Sequence, residues 1–420
     1  MNYRLLTFFL FPAFIIYTIK TAFKFKSLRY LKQRSGFSFP KFNTQPIWIH
    51  CASVGEVNTF IPLLELFITH LPQQKFLITT NTVTGAATFE KYQLANTQHC
   101  YLPIENNRAV KNFLNSTQPR LALIMETEIW PLLFKSINRK NIPLSIINGR
   151  LSNRTLNTSS WIKKHYHHTL QYVDTIFSRS KQDSQAYKEL GGDTINTQLI
   201  GNLKFSQITQ SKAVTLSNFT KREFILAAST HNDEEFQLAK LWKEIGLQKT
   251  LLVIVPRHPD RGLSILKQLE PLKLNIAMRS NGDAITKSTH IYLADTLGEL
   301  SGFMRHAEII FMGGSLIPHG GQNFLEAAQL GKPVIIGPHM HNFQNEVDLF
   351  KQQHACIQVN NIAALGTIIQ SLLIDKNNRV SLGERAEKII NEQAGIAEIY
   401  MDELKKHYPS IFTSTDQHQV

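Results

Sequence analysis

Twice along this 420-residue chain, short apolar runs alternate with amphipathic stretches. No other feature limits the fold so much, because successive parallel strands can pair only through a crossover, which is usually a helix. The first series of candidate strands is Pro46–His50, Lys75–Thr79, Leu121–Met125, Leu144–Asn148 and Thr175–Ser178. The second follows the polar stretch Ser206–Lys221: Glu223–Ala228, Thr250–Val255, Thr289–Leu293, Ile309–Met312, Pro333–Ile336 and Ala355–Val359. The pattern predicts an α/β chain of two doubly wound domains, with a linker near Gln207–Thr220. Glu384–Lys405 reads as one or two terminal helices, interrupted near Gly395. No G-x-G-x-x-G follows a strand, so a dinucleotide fingerprint is absent. Such sheets bind ligands beyond the C-terminal ends of their strands, so the residues there are where chemistry is expected.

The N-terminus follows a different rule. Leu5–Ile19 carries no charge, while Lys20, Lys24, Lys26, Arg29, Lys32 and Arg34 follow it closely. No Asp or Glu occurs before Glu56, so much of the chain's net charge of +13 lies beside one apolar segment. A cleaved signal peptide needs a small-residue cleavage site, and KTAFKFKSLRY supplies bulky and basic residues instead. The expectation is a membrane anchor with a basic collar over residues 1–34, spanning or shallowly inserted, with Pro12 as a kink. A spanning segment would leave the rest of the chain on the cytoplasmic side. The concentration of bases at one end also argues against nucleic acid as a partner. Cys51, Cys100 and Cys356 are scattered, without metal-ligand spacing or a disulfide framework.

Four strand ends in the first half carry reactive side chains. After IWIH, Ser53-x-x-Glu56 has the spacing of a helix capping box, and Glu56 equally suits a general base. In METEIWP, Glu126 and Glu128 can favour a helix dipole or stabilise a cationic transition state. Asn148, Arg150 and Arg154 can pair with those glutamates or face an anionic substrate. GNLKF places Lys204 at the domain boundary, as a surface residue or a site residue.

In the second half, ASTHNDEE presents backbone N–H groups as an anion pocket. VPRHPDR places Pro256, Arg257 and His258 after an apolar strand, where Arg can grip a phosphate. Gly298 and Glu299 follow another. FMGGSLIPHGGQNFLEAA then runs from paired glycines into a helix expected near Asn323, where Glu326 can accept hydrogen bonds from ribose hydroxyls. His50, His231, His258, His319 and His339 read as separate hydrogen-bonding residues. The chain has no Walker A motif, H-E-x-x-H or D-x-D, so no metal or other cofactor is expected.

Taken in order, HCASVGE, TTNTVTG, METEIWP, NGRLS, GNLKF, ASTHNDEE, VPRHPDR, LGEL and GGQNFLEAA resemble the 3-deoxy-D-manno-octulosonic acid (Kdo) transferase family. The resemblance implies a GT-B fold: two Rossmann-like domains facing a central cleft, here 35–208 for the acceptor and 209–420 for the donor. It implies transfer of Kdo from CMP-Kdo to a lipid A precursor at the bacterial inner membrane. Glu56 would be the general base, with Glu126 and Lys204 stabilising the transition state. Pro256, Arg257, Gly298, Glu299, Leu300, Asn323, Phe324, Leu325 and Glu326 would hold CMP. Gln322 and Phe324 depart from the family's usual G-G-H-N-P, and Cys51 stands where a smaller residue is common. Another membrane-associated GT-B enzyme using a UDP-sugar and a non-catalytic membrane scaffold are the competing readings.

Overall fold

The computed structural model describes residues 3–210, 216 and 219–412, without the side chains of 3–11, 153–154 and 207–210. Part of the expected linker, and the side chain of Arg154, lie outside the described residues. Two compact units are present: Met1–Gln207 with Gly395–Val420, and Ile208–Ala394.

The strands of the first unit are β1 (Ile47–His50), β2 (Phe76–Thr80), β3 (Thr97–Tyr101), β4 (Leu121–Met125), β5 (Leu144–Gly149), β6 (Thr175–Ser178) and β7 (Thr197–Leu199). They form one parallel seven-stranded sheet in the order β3-β2-β1-β4-β5-β6-β7. Helices cover both faces, so β1, β2, β4, β5 and β6 are buried along their whole length. Trp48 on β1 packs edge-on against Phe113 at 4.9 Å within this core.

The second unit repeats the plan with β8 (Phe224–Thr230), β9 (Leu251–Pro256), β10 (Ile276–Met278), β11 (Ile291–Leu293), β12 (Ile309–Met312), β13 (Val334–Ile336) and β14 (Ile357–Gln358). Its parallel sheet runs β10-β11-β9-β8-β12-β13-β14. Three strands escape the sequence pattern: β3, β7 and β10. Each is at a sheet edge. Edge strands are incompletely covered and need no continuous apolar run, as TQHCY in β3 illustrates.

The C-terminal end differs from the expected 209–420 domain. Gly395, with φ +82°, breaks the chain between helices Lys376–Glu392 and Ile396–His407. The second of these packs on helix Val54–His70 of the first unit. Phe412 meets Phe67 at 5.5 Å, and the Tyr400 hydroxyl donates to the Gly201 carbonyl at 3.0 Å. Tyr408 and Ser145 share a hydroxyl–hydroxyl bond of 2.6 Å. Apolar partners on the first sheet's helices therefore capture the tail.

At the other end, helix Tyr3–Lys24 contains Pro12 and leads into helix Leu28–Arg34. Phe14, Ile16, Tyr17, Ile19 and Phe23 are exposed on the first helix. Among the described residues, no helix is long and apolar enough to cross a membrane. Two members of the basic collar bond to the first unit itself. Arg34 donates to the Leu102 carbonyl at 2.6 Å and to Asn81 Oδ1 at 3.0 Å. Arg29 pairs with Glu90 at 2.8 Å and donates to the His99 carbonyl. These two guanidiniums, with Tyr30 edge-on to Tyr101 at 4.8 Å, tie the N-terminal helices to β3.

Candidate active site

In a parallel doubly wound sheet, the natural binding position lies where the strand order reverses. In the first unit that point is between β1 and β4. The chain leaves β1 through Cys51 and Ala52 into the helix that begins at Val54, and leaves β4 directly into Glu126. Because His50 is paired with Ile124, the two exits emerge side by side.

Glu56 closes the capping box read from its motif. Ser53 caps the helix, accepting the Glu56 N–H at 3.4 Å. The Glu56 carboxylate accepts the Ala52 N–H at 2.8 Å and the Ser53 hydroxyl at 3.2 Å. Burial pushes this carboxyl well above the usual carboxylate range, and the negative charges of Glu126 and Glu128 push it further. The Ala52 and Ser53 bonds oppose that rise without cancelling it. The same burial and the charges of Glu56 and Glu126 raise the Cys51 thiol.

Glu126 and Glu128 diverge, although no helix begins until Pro131. Glu126 takes a left-handed backbone conformation, φ +54°, and its carboxylate lies 3.7 Å from Arg150. The Tyr187 hydroxyl donates to the Glu126 carbonyl at 2.9 Å and holds that turn. Glu128 Oε2 instead accepts from Trp130 Nε1 at 2.7 Å and Asn81 Nδ2 at 3.2 Å, with His50 at 3.7 Å. Burial works against its charge, but bonds from His50, Trp130 and Asn81 win and hold it below its ordinary value. Glu128 is therefore a fixed negative charge close to Glu56. Lys204 is half-buried at the start of 3-10 helix Leu203–Gln210, its N–H on Asn202 Oδ1 at 3.1 Å. Asn148, at the end of β5, accepts the neighbouring Leu203 N–H at 3.0 Å. This bond fastens the lysine's segment beside the strand next to β4.

In the second unit the order reverses between β8 and β12. Ser229, at φ +54°, marks a bulge in β8, and Gly313 follows β12 so closely that a Cβ there would meet Thr230 Cα at 2.6 Å. Backbone N–H groups of His231, in the segment expected to form an anion pocket, and of the loop after β12 are engaged by one carboxylate. Buried Glu234 accepts four of them: His231 at 2.9 Å, Gly314 at 2.6 Å, Ser315 at 3.1 Å and Leu316 at 3.0 Å. Its neighbour Glu235 binds Arg261 through both oxygens, at 2.9 and 3.1 Å. The sequence pattern showed two acids opening a helix. It did not show that one would clasp a loop 80 residues away.

Donor-side residues sort by exposure. Arg257 follows Pro256 at the end of β9, its N–H fixed to the Thr230 carbonyl at 2.9 Å and its side chain exposed. Gly298, φ +84°, is exposed and precedes helix Leu300–His306. The Glu299 carboxylate is taken up by Arg279, which the sequence pattern missed, and by Thr296. Arg279 is the main reason Glu299 stays below its usual range. Phe324 and Leu325 are fully buried, Phe324 edge-on to Phe350 at 5.0 Å, and so offer a ligand only their backbone. The helix begins at Leu325, two residues past Asn323, with Asn323 exposed and its Oδ1 accepting the Leu325 N–H at 3.1 Å. Glu326 is half-buried, and burial raises its carboxyl.

Three histidines that looked unrelated in sequence converge here. The His231 ring lies 3.8 Å from that of His319 and 6.0 Å from that of His258. Gln322 Nε2 meets His231 Nε2 at 2.9 Å. Burial, then His319, His258, Arg257 and Arg261, hold His231 at about 4, so its ring is neutral at neutral pH. Among the described residues, no group of three or more His, Cys, Asp or Glu side chains is arranged to hold a metal ion.

The profile of the 3-deoxy-D-manno-octulosonic-acid transferase (kdotransferase) family matches residues 29–207, the stretch that carries Glu56, Glu126 and Lys204. A 3-deoxy-D-manno-octulosonic acid transferase of Haemophilus influenzae is 32% identical over 398 residues, 91% of this chain and 93% of that protein. One from Rickettsia bellii is 30% identical over 422 residues, 97% and 99% of the two chains. A UDP-GlcNAc 2-epimerase structure from Neisseria meningitidis covers 86% of this chain and 100% of its own, with TM-score 0.59 and 13% identity, a likeness of GT-B-like fold alone. Matched along nearly its whole length, with the strand-end carboxylates gathered at the first sheet's reversal point, this chain belongs to the Kdo transferase family of glycosyltransferases.

Proposed function

We propose that the enzyme transfers Kdo from CMP-Kdo to a lipid A precursor, with inversion and without a metal ion, and that Glu56 is the general base. The observation that carries this reading is the Glu56 carboxyl, raised by burial and by the charges of Glu126 and Glu128. A base whose pKa approaches the working pH accepts a proton most effectively. The acceptor hydroxyl gives its proton to Glu56 as its oxygen bonds to the anomeric carbon of Kdo. The bond from that carbon to the CMP phosphate oxygen breaks on the opposite side. Oxocarbenium character on the sugar is favoured by Glu126. Lys204 stabilises the charge that develops in the transition state, and exposed Arg257 serves the CMP phosphate. Glu326 and the backbone about Gly298 and Leu300 serve the nucleoside.

The reading places the enzyme on the cytoplasmic face of the bacterial inner membrane. Supporting it are the exposed Phe14, Ile16, Tyr17, Ile19 and Phe23, followed by exposed Lys20, Lys24 and Lys26. Exposed apolar side chains followed by lysines suit a membrane, the first meeting acyl chains and the second anionic headgroups.

The test is Glu56→Gln, assayed with CMP-Kdo and a tetra-acylated lipid A precursor. Transfer is expected to vanish while CMP still binds; near-normal transfer removes Glu56 as the base. Competition by CMP but not UDP is the expected donor signature.

A further inference from the structure

Arg34, the last base of the N-terminal collar, ends helix Leu28–Arg34. Ser27 caps the start of this helix by accepting the Tyr30 N–H at 3.2 Å. The last turn is bound to the exit of β3. Gln33 Oε1 accepts the Tyr101 N–H at 3.0 Å, and the Arg34 carbonyl accepts the Ile104 N–H at 2.8 Å. The backbone is thus fixed on both sides of the guanidinium's point of departure.

Asn81 follows β2 directly and stands between Arg34 and Glu128. A guanidinium only donates, and an ionised carboxylate only accepts. The Asn81 amide therefore has one orientation that serves both, with Oδ1 on Arg34 Nη1 at 3.0 Å and Nδ2 on Glu128 Oε2 at 3.2 Å. The Tyr30 hydroxyl of the same helix donates to the Asn81 carbonyl at 3.5 Å. The Asn81 N–H donates to the Ala52 carbonyl at 3.1 Å, and the Ala52 N–H holds the Glu56 carboxylate. On its far side Glu128 takes the Trp130 indole and faces His50, whose Nδ1 lies 2.8 Å from Thr79 Oγ1. Burial weakens the Arg34 guanidinium's hold on its proton, while Tyr30 and then Glu128 strengthen it. An amide between cation and acid also separates this arrangement from Glu299, which Arg279 binds directly.

We infer that Arg34 is a positioning residue: through the Asn81 amide it sets the place of the Glu128 carboxylate beside Glu56, and so links the N-terminal helix pair to the base. The inference rests on the reading of Glu56 as the base and adds the residues that arrange the charge around it. TTNTVTG and the collar, which the reaction itself does not use, thereby meet in one network.

The first readout needs no reaction. The Trp130 indole N–H donates to the same Glu128 oxygen, so its NMR signal reports where that carboxylate lies. The measurement uses the full-length protein in detergent, with the signal assigned by Trp130→Phe. Arg34→Met and Asn81→Leu are expected to move the signal, and Arg34→Lys, which keeps a cationic donor, to move it less. Arg29→Met is the control: it loosens the same helix from Glu90 and His99 and should leave the signal in place. A cooperative thermal transition shows that each variant is folded, and Asn81→Leu carries the test if Arg34→Met is not.

The second readout is the pH profile of transfer from CMP-Kdo. Glu56 is faced by Glu126 and Glu128 after β4 and by Cys51 after β1; Glu128 is faced by His50 and, across Asn81, by Arg34. Displacing the Glu128 charge favours the ionised base. Arg34→Met should therefore move the acid limb to lower pH, in the direction expected of Glu128→Gln, and add nothing in the Glu128→Gln background. A Trp130 signal unmoved by Arg34→Met, or moved as far by Arg29→Met, overturns the link whatever transfer shows. An acid limb that moves to higher pH shows Arg34 acting as a bare charge and overturns its positioning role. A moved signal with near-normal transfer by Glu56→Gln keeps the link from Arg34 to Glu128 and overturns Glu56 as the base instead.

Discussion

The reversal points of the two sheets occupy equivalent topological positions and treat negative charge in opposite ways. Between β1 and β4, Glu56, Glu126 and Glu128 are close enough for Glu56 to feel the other two, and burial adds to the strain. Between β8 and β12, Glu234 is saturated by four backbone N–H groups and Glu235 by Arg261. Beyond β11, Glu299 is similarly held by Arg279. The first arrangement leaves a carboxylate ready to accept a proton. The second neutralises its acids internally and leaves Arg257, His258 and His319 exposed beside buried His231, which suits an anionic donor. One architecture thus yields a carboxyl of raised proton affinity in one unit and carboxylates held by donors in the other.

That contrast can be broken from both sides. The largest effect is expected from Glu56→Gln, a loss of about a thousandfold or more in transfer rate, read by product mass with CMP binding as the control. On the other side, Glu234→Gln places an amide among N–H donors. It should destabilise the second unit by about 3 kcal/mol, seen as an early transition in thermal unfolding. The same change at Glu56 relieves a buried, repelled charge and should raise Tm above pH 7. Arg257→Ala is expected to weaken CMP binding about tenfold with Tm unchanged, since a charged hydrogen bond is worth roughly 1.5–3 kcal/mol and the side chain is exposed. The smallest effect is a shift of the pH profile. The base works only when deprotonated, so activity rises with pH through the raised Glu56 pKa. Glu128 remains ionised there, and Glu128→Gln removes one of the charges that raise Glu56. The acid limb should then move to lower pH; a limb that stays put would show that the Glu128 charge does not help to set the base.

Much of the site was legible because its residues come directly after strands. Glu56, Glu126 and Arg257 could be singled out from IWIHCASVGE, LALIMETE and LLVIVPR without knowing strand order. Their partners were not legible. Arg279 reaches Glu299 from the end of edge strand β10, which at three residues is too short to stand out. His231, His258 and His319 are far apart in sequence and meet only because β8 lies between β9 and β12. Arg34 resembled one more headgroup-binding base until its guanidinium was found bonded to Asn81 and Leu102.

By itself, the sequence determined the two α/β units and most of their central strands, since strands covered on both faces must be continuously apolar. It also determined which side chains stand at strand ends. Only the tertiary structure decided which ends become neighbours, which acids find donors, and where the last helices pack. Those outcomes depend on pairing between distant segments: Gly395 frees the chain to turn, but Phe67 and Gly201 of the first unit supply contacts that hold Phe412 and Tyr400.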